Sequence, residues 1–463
     1  MIESTILKGM IGLEIHVYII TREKLFCRCA AHRERGIEPN TFICPTCCGM
    51  PGAKPMLANK TAVEKAVQIG LMLGCKINNL LIWQRKHYDW PDMPKGYQNT
   101  ISGKHAIPVG VGGEFYGIRV RSMHLEEDPA SWDPETGCVD YNRSGLPLVE
   151  IITEPDFSTS EEVKNWLVKL LHNLSYLKAA DSNAGIKVDV NVNIPGKSER
   201  VEIKNINSIE SIGKAIDYEF ERQSKEGGKI KETRRFDAVK GTTMVMRQKE
   251  SGEDYRFISD PDLQDIVIDK KIIEKIKEDI PESPDQKLQR FLKKHKISKY
   301  DAEVLSRNID IAEFYERVAE KIDAKFALPW ISVGLFRLLN ENKVKLDSSG
   351  VEIRVEDFVS LLNLIKSGKI TELQGKQILK KFYPKSFDPS KKDIKEKITD
   401  LVEIEKIVKK VISANAKAVA DYKAGEKRSF DFLMGQVMRE SEKRADFALA
   451  RKILERMLSL SKE

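Results

Sequence analysis

The segment Ile11-Gly12-Leu13-Glu14-Ile15-His16-Val17 alternates apolar and polar positions strictly. Successive side chains of a strand point to opposite faces, so Ile11, Leu13, Ile15 and Val17 share a core face while Glu14 and His16 share the other. The same reading puts Ile118, Val120, Ser122, His124 and Glu126 on one side of a second strand. A third strand separates Val188, Val190, Val192 and Ile194 from Asp189, Asn191 and Asn193, and a fourth separates Val201 and Ile203 from Glu202 and Lys204. Pro195-Gly196-Lys197-Ser198-Glu199 between the last two predicts a β-hairpin, which would turn both polar sides into one space. From about Pro281 the texture becomes helical. Leu401, Ile404, Ile407, Val408, Val411 and Ile412 recur at three- and four-residue steps and form one apolar stripe. Pro281 and Pro284 mark a boundary, Asp347-Ser348-Ser349-Gly350 suggests a second, and the turn-rich 383–390 interrupts the last helical region. The expected fold class is α+β: a β-rich domain over 1–282, a helical linker domain over 283–350 and a helical tail over 351–463.

Acidic residues repeated on strand faces, with His16 and Lys204 among them, suit Mg²⁺ and nucleotide phosphates. Mg²⁺ takes hard oxygen ligands and keeps several waters, so a few carboxylates suffice, and a lysine offsets phosphate charge as a point cation. No Gly-x-x-x-x-Gly-Lys-Ser/Thr loop occurs, so an ATP site here would be built from strand faces. Of seven cysteines, Cys27 and Cys29 are followed after fourteen residues by Cys44 and Cys47. Two such pairs have the ligand count and loop size of a closed, structural zinc site with four thiolate ligands, with reduced unliganded thiols as the alternative. Cys48 either packs or competes with Cys47 as the ligand. An odd cysteine count argues against a disulfide framework.

The net charge of +7 favours a polyanionic partner only mildly, because a lysine-rich solvated surface produces the same excess. The run from Trp83 to Lys95 interleaves aromatic and basic side chains in a Pro-broken loop. Rings that stack unpaired bases beside cations that track phosphates suit single-stranded RNA; the competing reading makes Trp83 and Trp90 core residues. No apolar run reaches the ~18 residues a membrane-spanning helix needs, and Met1-Ile2-Glu3-Ser4 lacks the organisation of a signal peptide, so a cytoplasmic location is expected.

Several of these segments carry a resemblance. Gly12-Leu13-Glu14-Ile15-His16, Cys44-Pro45-Thr46-Cys47, Pro94-Lys95-Gly96-Tyr97-Gln98, His124-Leu125-Glu126-Glu127-Asp128, Asp140-Tyr141-Asn142-Arg143-Ser144-Gly145 and Thr153-Glu154-Pro155-Asp156 are similar, in order, to motifs of the B subunit of the aspartyl/glutamyl-tRNA amidotransferase. So are 201–208, Glu232-Thr233-Arg234-Arg235-Phe236-Asp237, Asp254-Tyr255-Arg256 and Asp421-Tyr422-Lys423-Ala424-Gly425. The resemblance implies a catalytic cradle domain, an amidase subunit that releases ammonia from glutamine, and a small C subunit. It also implies a mischarged Asp-tRNA or Glu-tRNA as substrate, with a non-discriminating aminoacyl-tRNA synthetase as a further candidate partner. ATP would phosphorylate the side-chain carboxylate, and ammonia would displace the phosphate.

Carried over by position, Glu14, His16, Glu126 and Glu127 would hold Mg²⁺, and Asp189, Glu202 and Lys204 would complete the phosphate-handling or ammonia-receiving site. Arg85, Lys86, Lys95, Tyr97 and Arg143 would meet tRNA or nucleotide, and the tail would grip the outer corner of the tRNA. One departure stands beside these: Gly185-Ile186-Lys187-Val188-Asp189 keeps the family's aspartate but replaces its arginine with Lys187. A non-catalytic, zinc-containing tRNA-binding scaffold explains the cysteines and basic helices but leaves the acidic faces idle. The paralogue specific for Glu-tRNA carries an inserted domain for which the helical region is too short. Neither the preferred tRNA nor the base that deprotonates ammonium follows from the residues.

Overall fold

The structure, a computed structural model, describes residues 9–32, 36–180, 186–228, 230–248, 256–392 and 395–460. Met1–Ser4, Gly185, Asp254, Tyr255 and the side chain of Asn205, used above, lie outside them. The chain is α+β and divides into two compact units, Met1–Ser283 and Pro284–Glu463.

The first unit is organised by a large sheet. The early strands of the unit are β1 (Met10–Tyr18), β2 (Lys76–Ile77), β3 (Leu80–Leu81), β4 (Gln84–His87), β5 (Tyr97–Thr100), β6 (Gly110–Phe115) and β7 (Ile118–Glu127). Then follow β8 (Ser131–Trp132), β9 (Val139–Asp140), β10 (Pro147–Thr153), β11 (Ile186–Asn193) and β12 (Val201–Ile206). The last are β13 (Glu232–Asp237), β14 (Thr242–Gln248), β15 (Arg256–Ser259) and β16 (Ile266–Val267). The sheet runs β14-β13-β12-β11-β1-β10-β7-β5-β4-β15, with β6 also on β7 and β2 on β6. The β11–β12 hairpin forms, and β12–β13 is a parallel pair. A parallel pair cannot be joined by a tight turn, and the helix Ile209–Glu226 supplies the crossover.

Three helices cover one face of this sheet: α1 (Lys60–Met72), α2 (Ser160–Leu177) and α3 (Ile209–Glu226), each opened by a side-chain cap from Asn59, Thr159 or Ser208. Val67, Leu167, Leu170, Ile212, Ile216 and Phe220 from them join Ile11, Leu13, Ile15 and Val17 of β1 in one core. These three helices therefore take the apolar side of the strands, opposite the polar side.

One expectation about the faces is corrected. Val120 packs in that core together with Met123 and Leu125, and Ile118 lies against it, so neither shares the face of His124 and Glu126. The register between β7 and β10 shifts after the Ser122–Ile152 pair, where a bulge reverses the parity of the strand. Alternation read straight through β7 carries that slip to its first half.

The second unit is helical. One of its cores gathers residues from Phe291 to Phe382, including Trp330, Phe358 and Leu362, and runs across position 350; another gathers residues from Ile398 to Leu458. Among the described residues, no helix is long and apolar enough to cross a membrane.

Candidate metal centre and its cavity

On the polar face of the first unit's sheet, strand pairing decides which side chains meet. Antiparallel register sets His16 beside Glu150 on β10 and Lys187 on β11, Glu14 beside Asp189, and Glu150 beside His124. Glu126 pairs with Leu148 and with Thr100 of β5. Asn191 pairs with Glu202, and Glu202 with Thr233. Neighbouring strands thus gather five carboxylates and two imidazoles from β1, β7, β10, β11 and β12.

Two subsets are tight enough to share an ion. Ligand atoms of His16, Glu126 and Glu150 all lie within 4.8 Å of one another, as do those of Glu14, Asp189 and Glu202. The second subset already holds a cation of its own, because Lys204 Nζ lies 3.0 Å from Asp189 Oδ2 and 2.7 Å from Glu202 Oε1. Glu14 accepts from Asn191 Nδ2 at 3.1 Å, and Thr233 donates to Glu202 at 3.4 Å. In the first subset imidazoles face the carboxylates. His16 Nε2 is 3.6 Å from Glu150 Oε1, and His124 Nδ1 is 2.8 Å from Glu150 Oε2.

The electrostatics follow from this crowding. Burial lifts the Glu14 carboxyl above its usual 4.5, and Glu150, Glu202 and Asp189 push the same way. Burial and then Glu150 lift Glu126. Burial opposes a charged His16, yet the hydrogen bond and charge of Glu150, with Glu126 and Asp189, outweigh it and raise the imidazole above 6.5. Glu150 goes the other way: burial favours its neutral form, but His124 and His16 hold it well below the usual range. Burial disfavours the Lys204 ammonium, and Asp189 and Glu202 overcome that and raise it. Carboxylates that resist ionisation because they crowd one another welcome a hard divalent cation, and a mixed oxygen and imidazole set accepts Mg²⁺ or Mn²⁺. His16 Nδ1 is moreover buried without a hydrogen-bond partner. The donor set at His16, Glu126 and Glu150 therefore fits such an ion.

A cavity of about 620 Å³ opens over this face. His16, Glu126, Asp189 and Lys204 line it with Lys86, Lys187, Gln98 and Thr233, and Tyr88 and Trp90 stand among its other walls. Cations and carboxylates facing one space is the arrangement a polyanion bridged by metal requires.

Not every expected residue is here. Glu127 turns away from Glu126: its carboxylate accepts the Asn99 N–H at 2.9 Å and pairs with the Lys95 ammonium. Of the five residues expected to meet RNA or nucleotide, Lys86 lines the cavity and the others have partners within the protein. Arg85 is bound to Asp260 at 2.9 Å and Asp262 at 2.6 Å and lies over the Tyr97 ring. Lys95 is taken by Glu127 and Asn99, and Arg143 by Asp128 and the carbonyl oxygens of Pro129 and Ala130. Trp83 is buried, whereas Trp90 is 54% exposed and edge-on to Trp132. Glu150 was not anticipated, although an acid inside the apolar run Leu148-Val149-Glu150-Ile151-Ile152 was a visible signal, since a buried carboxylate demands partners.

Cys27, Cys29, Cys44 and Cys47 also bring their sulfurs within 4.8 Å of one another, a set compatible with structural Zn²⁺. Cys47 belongs to this set and Cys48 does not. The Cys27 thiol hydrogen bond, ahead of the Lys24 ammonium at 3.5 Å, pulls the Cys47 thiol toward thiolate. Gly49, at φ +68°, closes the turn so tightly against Pro94 that a Cβ there would overlap the Pro94 carbonyl oxygen. The cysteine knuckle thereby braces the segment that carries Lys95.

A family model described as the GatB/GatE catalytic domain matches residues 9–274, and one described as the GatB domain matches 313–458. Curated relatives, each named as the B subunit of an aspartyl/glutamyl-tRNA(Asn/Gln) amidotransferase, align along almost the whole chain. That of Methanocaldococcus jannaschii is 43% identical and covers 94% of each chain. That of Methanothermobacter thermautotrophicus is 42% identical over 94% of this chain and 97% of its own, and that of Methanopyrus kandleri 40% over 97% and 98%. The chain belongs to the family of B subunits of the tRNA-dependent amidotransferase, a multi-subunit ligase-type complex of protein biosynthesis.

Proposed function

We propose that this chain phosphorylates the side-chain carboxylate of a mischarged Asp-tRNA(Asn) or Glu-tRNA(Gln) with ATP and converts it to the amide. The observation that carries the reading is one cavity lined by His16, Glu126 and Asp189 together with the cations Lys86, Lys187 and Lys204, with Glu150 grouped with His16 and Glu126, and Glu14 and Glu202 grouped with Asp189. The γ-phosphoryl group passes to a carboxylate oxygen and ADP leaves. Ammonia attacks the carbonyl carbon, the bond to the phosphorylated oxygen breaks, phosphate departs, and the nitrogen gives a proton to a carboxylate of the cluster. Phosphorylation is needed because a free carboxylate has no acceptable leaving group.

His16, Glu126 and Glu150 would hold Mg²⁺, which when bound neutralises charge on the transferring phosphoryl group. Lys86 and Lys187 draw phosphate oxygens into the cavity as point cations, and Trp90 and Tyr88 offer ring faces to an unpaired acceptor end. Lys204 pairs with Asp189 and Glu202 and holds them in place beside Glu14. Ammonia comes from a glutamine-hydrolysing amidase subunit, held with a small C subunit, and the helical unit grips the tRNA. Zn²⁺ on the cysteine knuckle is structural, and the location is cytoplasmic.

The reading is tested by measuring ATP-dependent amidation by the chain with its amidase partner, against the Glu14→Ala, Glu126→Ala double variant. The variant is expected to lose activity by roughly 100-fold or more. Undiminished amidation would instead favour the scaffold role.

A further inference from the structure

Glu126 is buried and groups with His16 and Glu150 at the cation site. A carboxylate in that situation stays ionised and aimed only if donors hold it. Strand β5 provides them. Thr100, fully buried and paired with Glu126 across the ladder, donates its hydroxyl to Glu126 Oε1 at 2.5 Å. Its proton direction is settled by a neighbour: the Ser102 N–H donates to Thr100 Oγ1 at 2.9 Å, so the hydroxyl hydrogen is left for the carboxylate. Gln98 Nε2 donates to Glu126 Oε2 at 3.2 Å and to the Glu127 carbonyl at 2.9 Å, two acceptors that set the amide's orientation. Each carboxylate oxygen thus spends one lone pair on β5 and keeps another for an ion.

We propose that Thr100 and Gln98 are positioning residues that hold the Glu126 carboxylate in its cation-binding conformation. This rests on the reading of His16, Glu126 and Glu150 as a divalent-cation site. Outer-shell partners of this kind tune affinity for the metal without touching it. Loss of the Thr100 hydroxyl removes one hydrogen bond to a charged group and leaves the carboxylate free to take a proton or swing away.

Mn²⁺ is the probe, followed by the electron paramagnetic resonance of the free ion on titration into the full chain loaded with zinc. Thiolates select softer metals, so the cysteine site does not compete. The wild type is expected to bind Mn²⁺, Thr100→Val to bind it about tenfold more weakly, and Thr100→Ser to restore binding to within about twofold of the wild type. In the amidation assay Thr100→Val raises the Mg²⁺ concentration for half-maximal rate, while kcat at saturating Mg²⁺ falls much less. If circular dichroism finds Thr100→Val unfolded, Gln98→Met, at the cavity wall, carries the same comparison. Wild-type affinity in a folded Thr100→Val or Gln98→Met chain overturns the proposal. A wild type that does not bind Mn²⁺ overturns the cation reading, and this inference with it.

Discussion

Glu150 stands between two imidazoles, 2.8 Å from one and 3.6 Å from the other, and they hold its carboxyl well below the usual range. Glu150→Gln keeps the shape and removes the charge. It is expected to lower amidation at least tenfold at fixed Mg²⁺ and to destabilise the chain by about 1–3 kcal/mol in chemical denaturation, through the weakened contacts with His124 and His16. Glu14 and Glu126 have the opposite character. Raised above 4.5, they keep a proton in the folded chain at a pH where the unfolded chain has lost it, and His16, raised above 6.5, does so higher up. Each contributes stability that is lost as pH rises through its folded value, whereas the contribution of Glu150 is lost as pH falls. Without divalent cation, Tm of the wild type should therefore fall more between about pH 5 and pH 8 than that of the Glu14→Gln, Glu126→Gln variant. Mg²⁺ should remove the difference, since a bound cation replaces those protons. A smaller fall in the wild type would contradict the electrostatic account.

Strands explain both what the sequence disclosed and what it concealed. Glu14 and His16 were legible because β1 alternates without a fault, and Asp189, Glu202 and Lys204 because a hairpin-forming loop joins two alternating runs. The first half of β7 was misread because a bulge leaves no mark in the apolar pattern. Glu150 was overlooked because a lone acid in an apolar strand is informative only once its neighbours are known, and those neighbours come from β1 and β7. The pairing of Arg85, expected to meet RNA or nucleotide, was hidden for the same reason: its partners Asp260 and Asp262 lie 175 and 177 residues further along the chain. The cysteine knuckle was readable from spacing alone, but not its contact with Pro94. Because that contact braces the Lys95 segment, Cys47→Ser should release zinc, measurable with a chromogenic chelator, and lower Tm by several degrees. Amidation should fall by a smaller factor than in the Glu150 variant. Loss of zinc with no change in Tm would separate the knuckle from the rest of the fold.

The two units contribute different things to the molecule. The first carries the sheet and its acidic cavity, with a core of its own beneath three helices. The second is helical, and its cores are built without the sheet. The match to the GatB/GatE catalytic domain lies within the first unit, and on the proposed function the chemistry belongs there while the second unit grips the tRNA. Chemistry at the cavity is the claim on which the rest depends, and it is tested most directly by following oxygen. The side-chain carboxylate of the mischarged tRNA is labelled with heavy oxygen, and the complex is supplied with ATP and ammonia. Mass spectrometry of the released phosphate should find one labelled oxygen for each amide formed, because the carboxylate oxygen leaves on the phosphoryl group. Amide formation with unlabelled phosphate would contradict phosphorylation of that carboxylate, and with it the role assigned to the cavity.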